Sequence, residues 1–374
     1  MIAMSKKALY LAGGGARGAY QAGVLKGIQH ILKTTEMPFE LITGVSVGSM
    51  NACILAQNAG NFKAAVQELE DLWCHIKGTD IYNSNNFDLT RSLVRNLGLL
   101  FQGESKSGYL IDTTPLTQYI QKNIHFKKIT KNIDAQIIKN LELIATCYDT
   151  QQNISFCQVN DPDFTHWQHA KHISHTTKLN TEHILASGAL PLFFSPVLID
   201  NYHFGDGSMG LIAPLRGILH ARADKILTIS NRQPVAYANK KPLNNIGFAQ
   251  ILGSMLNGLF QDNLDRDIEI VDHISHMTEM VSLWNKKKHP WKNVNILHLR
   301  PTTDIARIAL EKEAHLSKGI VTLLKMFGAK HQSGDLVSFL LFEAPFTTEL
   351  FNLGYNDTLD NTETILSFFC EETL

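Results

Sequence analysis

The chain has 374 residues, 44% of them hydrophobic and 18% charged, with a formal net charge of -1. It carries enough apolar material for one large core or two modest ones, and no global field that would gather nucleic acid or acidic membranes. The five cysteines, Cys53, Cys74, Cys147, Cys157 and Cys370, are odd in number and lack metal-ligand spacing, so they read as free thiols in a reducing compartment rather than as a disulfide framework.

Met1 to Lys7 is short and polar, and the apolar run after it is broken by Gly13-Gly14-Gly15 and Arg17. That is not a secretory signal, and no stretch of about 20 apolar residues is present to span a bilayer. A cytoplasmic protein is expected, with membrane association, or export by a route needing no N-terminal signal, still compatible; Glu371-Glu372 would suit such a signal but reads first as solvated charge.

Ala8 to Ala12 reads as a buried strand. Gly18 to Leu32 has helical spacing through Ala19, Ala22, Leu25, Ile28 and Leu32. Phe39 to Val45 is a second strand, and Met50 to Ala59 a second helix. Strand-helix-strand-helix implies parallel pairing and an α/β sheet. Helical patterns continue through Phe62 to Ile76 and Leu89 to Phe101, and Ile111 to Pro115 is a helix start. Leu141 to Tyr148 and Ile154 to Val159 read as strands. His166, His169, His172 and His175 recur in a polar stretch expected to be irregular, and without a helical His-x-x-x-His pattern no metal is expected. Asn180 to Ala189 reads as helix, and Val197 to Ile199 with Tyr202 to Phe204 as a hairpin around Asp200-Asn201. Ala213 to Arg222 reads as helix, Lys225 to Ser230 as strand and Asn231 to Asn245 as loop. Ile246 to about Trp284 carries an apolar stripe through Phe248, Ile251, Leu252, Met255, Leu259, Phe260, Leu264, Ile268, Val271 and Ile274. It is expected to form a core-facing helix pair rather than an interfacial lid. Val294 to Leu299 is a last strand, with mostly helices after it.

Two glycine turns carry the chemistry. Gly44-Val45-Ser46-Val47-Gly48 stands between a strand and a helix, the setting of a nucleophile elbow. A serine hydroxyl there stands clear at the tip of a sharp turn, and Gly44 and Gly48 let strand and helix approach closely. Gly13-Gly14-Gly15-Ala16-Arg17-Gly18 fits either a dinucleotide fingerprint or a loop whose unshielded N–H groups hold an oxyanion. In a dinucleotide site the second strand would end in an acidic residue; here it ends in the elbow, which favours the oxyanion reading. The serine needs a base, and Asp206, flanked by Gly205 and Gly207, is the candidate: a partly desolvated carboxylate is basic enough to take the proton directly.

These three motifs in this order resemble the patatin-like phospholipase family. The resemblance runs from about Ala8 to Arg232, includes Leu110 to Leu116, Ala145 to Thr150 and Ala186 to Phe194, and returns weakly at Asp335 to Tyr355. It implies a three-layer α/β/α sandwich around a mainly parallel sheet, with a catalytic domain over 8–232 and a mostly helical C-terminal region over 233–374 packed on it. It further implies a lipid acyl hydrolase of the phospholipase A or lysophospholipase type, working through an acyl-enzyme without a cofactor. Ser46 would be the nucleophile, Asp206 the base, and the amides of Gly13, Gly14 and Gly15 the oxyanion hole. Arg17, Gly18, Gly44, Gly48 and Gly207 would support them, Arg17 by orienting the glycine loop or meeting a head-group phosphate. Ser208 departs from the Gly-Gly or Gly-Ala that usually ends the acid motif.

The implied partners are a phospholipid or other lipid ester and a transient membrane surface, with no nucleic acid and with an activating partner left open. An α/β-hydrolase with a histidine triad is disfavoured: Ser46 follows only two strands, and His203 lies three strand residues from Asp206, hence on the opposite face. An acyltransferase of the same architecture would share the acyl-enzyme. A non-catalytic lipid- or nucleotide-binding protein would need neither Ser46 nor Asp206.

Overall fold

The computed structural model describes residues 5–83, 111–234, 247–258, 263–280, 292–326 and 333–370. In chain order these form β1 (Lys7–Leu11), α1 (Gly18–Leu32), β2 (Leu41–Val45), α2 (Val47–Gln57), α3 (Phe62–His75), α4 (Gly78–Ile81), α5 (Thr114–Asn123) and α6 (Phe126–Asp134). Next come β3 (Asn140–Cys147), β4 (Gln152–Val159), β5 (Gln168–His169), β6 (His172–Thr176), α7 (Thr181–Ser187), β7 (Val197–Ile199), β8 (Tyr202–Asp206), α8 (Arg216–His220) and β9 (Lys225–Ile229). Then follow α9 (Phe248–Asn257), α10 (Asn263–Met280), β10 (Asn295–Leu299), α11 (Ile305–Glu311), α12 (Lys318–Met326), α13 (Gly334–Leu340), α14 (Ala344–Asp360) and α15 (Thr362–Cys370).

The main sheet runs β10-β9-β1-β2-β3-β4-β6-β5, and its first five strands are parallel. Side chains of β1 alternate between its two faces, as a pleated strand requires. Leu9 and Leu11 enter the larger core, with α1, α2, α3, α13 and α14. Ala8 and Tyr10 enter the smaller one, with Leu215, Ile218, Leu264 and Val271. The result is a mixed α/β layering around a mostly parallel sheet with a helical C-terminal part.

One detail of register positions the site. β2 pairs with β3 up to Val45 opposite Ile144 and then ends. The next residues of β3, Ala145 to Cys147, pair on with β8, which arrives antiparallel and sets Asp206 opposite Ala145. Continuing the β2 register by one residue sets Ser46 at that same level. The hairpin that delivers β8 turns through Asp200 and Asn201, both at positive φ (49° and 67°), the conformation of a two-residue hairpin whose twist matches its strands.

Several expected elements differ in extent. The helix expected over Ala213 to Arg222 is confined to Arg216–His220: Pro214 disfavours helical backbone at Ala213, the Leu215 N–H goes to Asp267 Oδ2 at 2.8 Å, and Arg222 lies at φ 59°. The expectedly irregular histidine stretch contains β5 and β6. His172 turns inward to Ser155 Oγ (2.8 Å) and His169 meets His220 (3.2 Å), so the four do not converge. α6, an additional helix, is amphipathic, with Ile129 and Ile133 buried. The apolar stripe after residue 246 is not wholly core-facing. Leu252, Leu264 and Val271 are buried, but Phe248, Ile251 and Met255 are exposed because apolar residues wrap two faces of α9. Leu259 and Phe260, the helix expected over Leu89 to Phe101, and Glu371-Glu372 lie outside the described residues, as does most of the loop expected over Asn231 to Asn245.

No single helix among the described residues is long and apolar enough to cross a membrane. The pair α13–α14 meets the length and composition only together, bent by 99°. Both helices turn buried faces to the larger core.

Candidate active site

Ser46 occupies the single residue between β2 and α2, at φ 54° and ψ -126°. Few non-glycine residues tolerate positive φ, and such strain persists only where the surroundings over-determine it. A Cβ on Gly44 would overlap the Gly48 carbonyl, and one on Gly48 the Leu11 carbonyl, so β2, α2 and β1 meet closer than any side chain permits. The Ser46 N–H donates to Ser187 Oγ at 2.9 Å. Ser187 Oγ in turn donates to the Ile144 carbonyl at 2.6 Å and lies 2.7 Å from Ser49 Oγ. Ser187 and Ser49, which brace the turn, were not among the residues singled out from sequence. A serine inside a helical pattern carries no signal of its own, although Ser187 lies within a stretch that resembles the family.

The Ser46 hydroxyl donates to Asp206 Oδ2 at 2.6 Å, and the Ser208 N–H donates to Asp206 Oδ1 at 2.9 Å. The Asp206 backbone is fixed by its N–H to the Ala189 carbonyl (3.0 Å) and by Thr146 Oγ1, which donates to its carbonyl (2.8 Å). A Cβ on Gly207 would overlap the Ile144 carbonyl, so the chain leaves the site pressed against β3. Asp206 is 1% exposed. Burial pushes its pKa up to about 6, against the opposing pull of the hydrogen bonds from Ser46 and Ser208. It is therefore largely ionised at neutral pH, yet far more basic than a free aspartate. The Ser208 hydroxyl is buried beside the carboxylate, and both the backbone N–H and the side chain of that residue draw the Asp206 pKa down, by less than burial lifts it. His203 is exposed and faces Asp149 at 3.4 Å. Among the described residues no histidine is hydrogen-bonded to Ser46 or Asp206.

The glycine loop closes the other side. The N–H groups of Gly13, Gly14 and Gly15 have no hydrogen-bond acceptor among the described residues, whereas the loop's carbonyls are held. Asn231 Nδ2 donates to the carbonyls of Ala12 (3.2 Å) and Gly13 (2.9 Å), and the Arg17 N–H donates to that of Gly14 (3.2 Å). Gly15, at φ 57°, lies where a Cβ would overlap the Phe339 carbonyl of α13. Gly18 opens α1 directly against Val47 and Trp73.

Arg17 points away from solvent and is 2% exposed, so it is not positioned to meet a head group. Its guanidinium donates to Ser338 Oγ (2.8 Å), Asn257 Oδ1 (3.1 Å) and Asp335 (3.3 Å), and stacks 4.1 Å over the Phe339 ring. Burial lowers its pKa to about 10, partly offset by Asp335, and it stays charged. It ties the glycine loop to α9 and α13.

A cavity of about 60 Å³ opens from Ser46 and Gly15. Apart from Ser46, its lining is apolar or glycine: Val47, Met50, Ile81 and Leu116 on one side, with Leu190, Phe194, Phe339, Leu340 and Phe342 among the rest. Among the described residues the lining offers a polar group no partner besides Ser46, a character that suits an apolar occupant. The arrangement thus offers a hydroxyl on a buried base, free N–H groups beside it and an apolar slot.

A family model described as patatin-like phospholipase matches residues 9–217. A search of curated proteins finds none that matches. Among solved structures, that of VipD from Legionella pneumophila aligns over 87% of this chain and 67% of its own, at 12% identity and a TM-score of 0.30.

Proposed function

The chain belongs to the patatin-like phospholipase family, a membership that supports lipid acyl hydrolysis in general, and from that premise we propose a Ser46–Asp206 dyad that cleaves fatty acyl esters of phospholipids or lysophospholipids at a membrane surface. The observation that carries this reading is the 2.6 Å hydrogen bond from Ser46 Oγ to a carboxylate that is buried and, among the described residues, has no cationic partner to quench its basicity.

In this mechanism the acyl chain lies in the apolar slot and the ester carbonyl comes to rest between Ser46 and the glycine loop. Asp206 takes the Ser46 proton as Oγ attacks the carbonyl carbon. The tetrahedral oxyanion is met by the N–H groups of Gly13 to Gly15, donors with no acceptor among the described residues to give up. Protonated Asp206 then returns its proton to the leaving alcohol, and the acyl group remains on Ser46. Water enters, gives a proton to Asp206 and attacks the acyl-enzyme; the fatty acid leaves and Ser46 recovers its proton. An alcohol in place of that water would give acyl transfer.

The test is ester hydrolysis by the wild type, Ser46→Ala, Asp206→Asn and the double variant, all shown to be folded. Each single variant is expected to lose ~10⁴-fold or more in kcat, and the double variant to be little worse than either, because the two residues act as one unit. Undiminished hydrolysis by Ser46→Ala would sink the assignment.

A further inference from the structure

The slot's walls come from three parts of the chain. Met50, Ile81 and Leu116 lie in the first third, and Ile184, Leu190 and Phe194 near the middle. Phe339, Leu340 and Phe342 lie beyond the family-matched residues 9–217, in α13 and the turn after it. In this later segment the Phe339 carbonyl backs onto Gly15. The Phe342 ring, also in the slot's lining, rests 6.4 Å from Tyr82, the neighbour of Ile81, at an edge-on 74°, and stacks 6.4 Å from Trp73 at 18°. Trp73 and Tyr82 are fully buried, and the Tyr82 hydroxyl donates to the Leu340 carbonyl at 2.8 Å. Phe342 therefore cannot yield by a simple swing; moving it means moving two packed aromatic rings.

We infer that Phe342, with Leu340 beside it, sets the length of the acyl chain that the slot accepts. The inference rests on the acyl-hydrolase reading above. An apolar slot gains affinity with each methylene it can bury, roughly fourfold per CH₂, and stops gaining where a rigid wall meets the chain end. In this protein the stop is an aromatic ring contributed by the C-terminal segment. Chain-length preference and the catalytic groups then reside in separate parts of the sequence.

Two measurements on the full chain test this. The first is binding of saturated fatty acids, from butyrate to dodecanoate, to Ser46→Ala protein by isothermal titration. The second is kcat/KM for the matching p-nitrophenyl esters with Ser46 intact. Each is made with Phe342 present, with Phe342→Ala and with the milder Phe342→Leu, whose unfolding midpoints report folding. Affinity should rise with chain length to a break, and that break should move to longer chains in Phe342→Ala and less far in Phe342→Leu. The ratio of kcat/KM for the longest over the shortest ester should rise at least ~10-fold in Phe342→Ala, the scale on which an apolar pocket discriminates by a methylene or more. A merely structural role would lower all chain lengths by one factor and leave the break in place; that result in both folded variants overturns the inference. A break that moves in the binding series, with no ester hydrolysed by any protein carrying Ser46, supports the wall and contradicts the proposed hydrolysis.

Discussion

The two sides of the slot are built in opposite ways. On one side, two short turns at the carboxyl ends of neighbouring parallel strands present Ser46 and the N–H groups of Gly13 to Gly15, and their geometry is set by backbone. On the other, α13 and Phe342 reach the site from more than a hundred residues away, and what they contribute is side-chain shape. The first side is stiffened by contacts a Cβ would break, the second by aromatic packing. On the proposed reading, reaction chemistry would depend on local turn geometry, and selection among substrates on long-range packing. Asp206 bridges the two kinds: it lies far along the chain, yet strand register brings it to Ser46.

Substitutions can break this contrast. The greatest expected effect remains the loss of hydrolysis in Ser46→Ala and Asp206→Asn. Next is Gly15→Ala. An alanine there must hold φ near 57° and displace the Phe339 carbonyl, so at least one oxyanion donor shifts. A fall of ~10²–10³ in kcat with KM little changed is expected, the usual result of losing one such donor. Steady-state kinetics that show only a KM change would contradict the oxyanion role.

The pH profile of the wild type comes next. Protonated Asp206 cannot accept the Ser46 proton, and burial lifts its pKa to about 6. The value of kcat/KM should therefore level off above that pH and fall ~10-fold per unit below it. An acid limb centred near 4, the range of an exposed aspartate, would show that burial does not govern the base. The smallest expected effect on rate belongs to Arg17→Ala, which removes the tie between the glycine loop and the C-terminal helices. One end of its ion pair, Asp335, is partly solvated. A loss of roughly 2–3 kcal/mol of stability is thus expected, below the full cost of breaking a buried pair, with only a several-fold fall in kcat. Denaturant unfolding checks it; unchanged stability would mean that α13 is held by packing alone.

How far the sequence could be read follows the same division. The elbow is legible in five consecutive letters because a strand-to-helix turn this tight admits glycine at both flanks. The glycine loop is legible because three consecutive glycines after a strand leave their N–H groups unshielded by side chains. Asp206 can be found from its glycine neighbours and its place after a strand, though the register that brings it opposite Ala145 is visible only in the fold. Ser187 and Asn231, which pin the turns, are ordinary polar residues whose importance comes from what lies beside them in space. Arg17 has the motif position of a basic residue but turns inward, because α13 and α9, which receive it, are invisible from the motif. Phe248, Ile251 and Met255 illustrate the converse: apolar letters at helical spacing that the fold leaves on the surface.

Covalent trapping tests the dyad most directly. Wild type and Asp206→Asn are each treated with an alkyl fluorophosphonate at neutral pH, and the adducts are located by peptide mass spectrometry. The expected result is one adduct on Ser46 in the wild type and labelling slowed by orders of magnitude in Asp206→Asn. An adduct on another residue, or equally fast labelling of Ser46 without the Asp206 carboxylate, would contradict a serine activated by that aspartate.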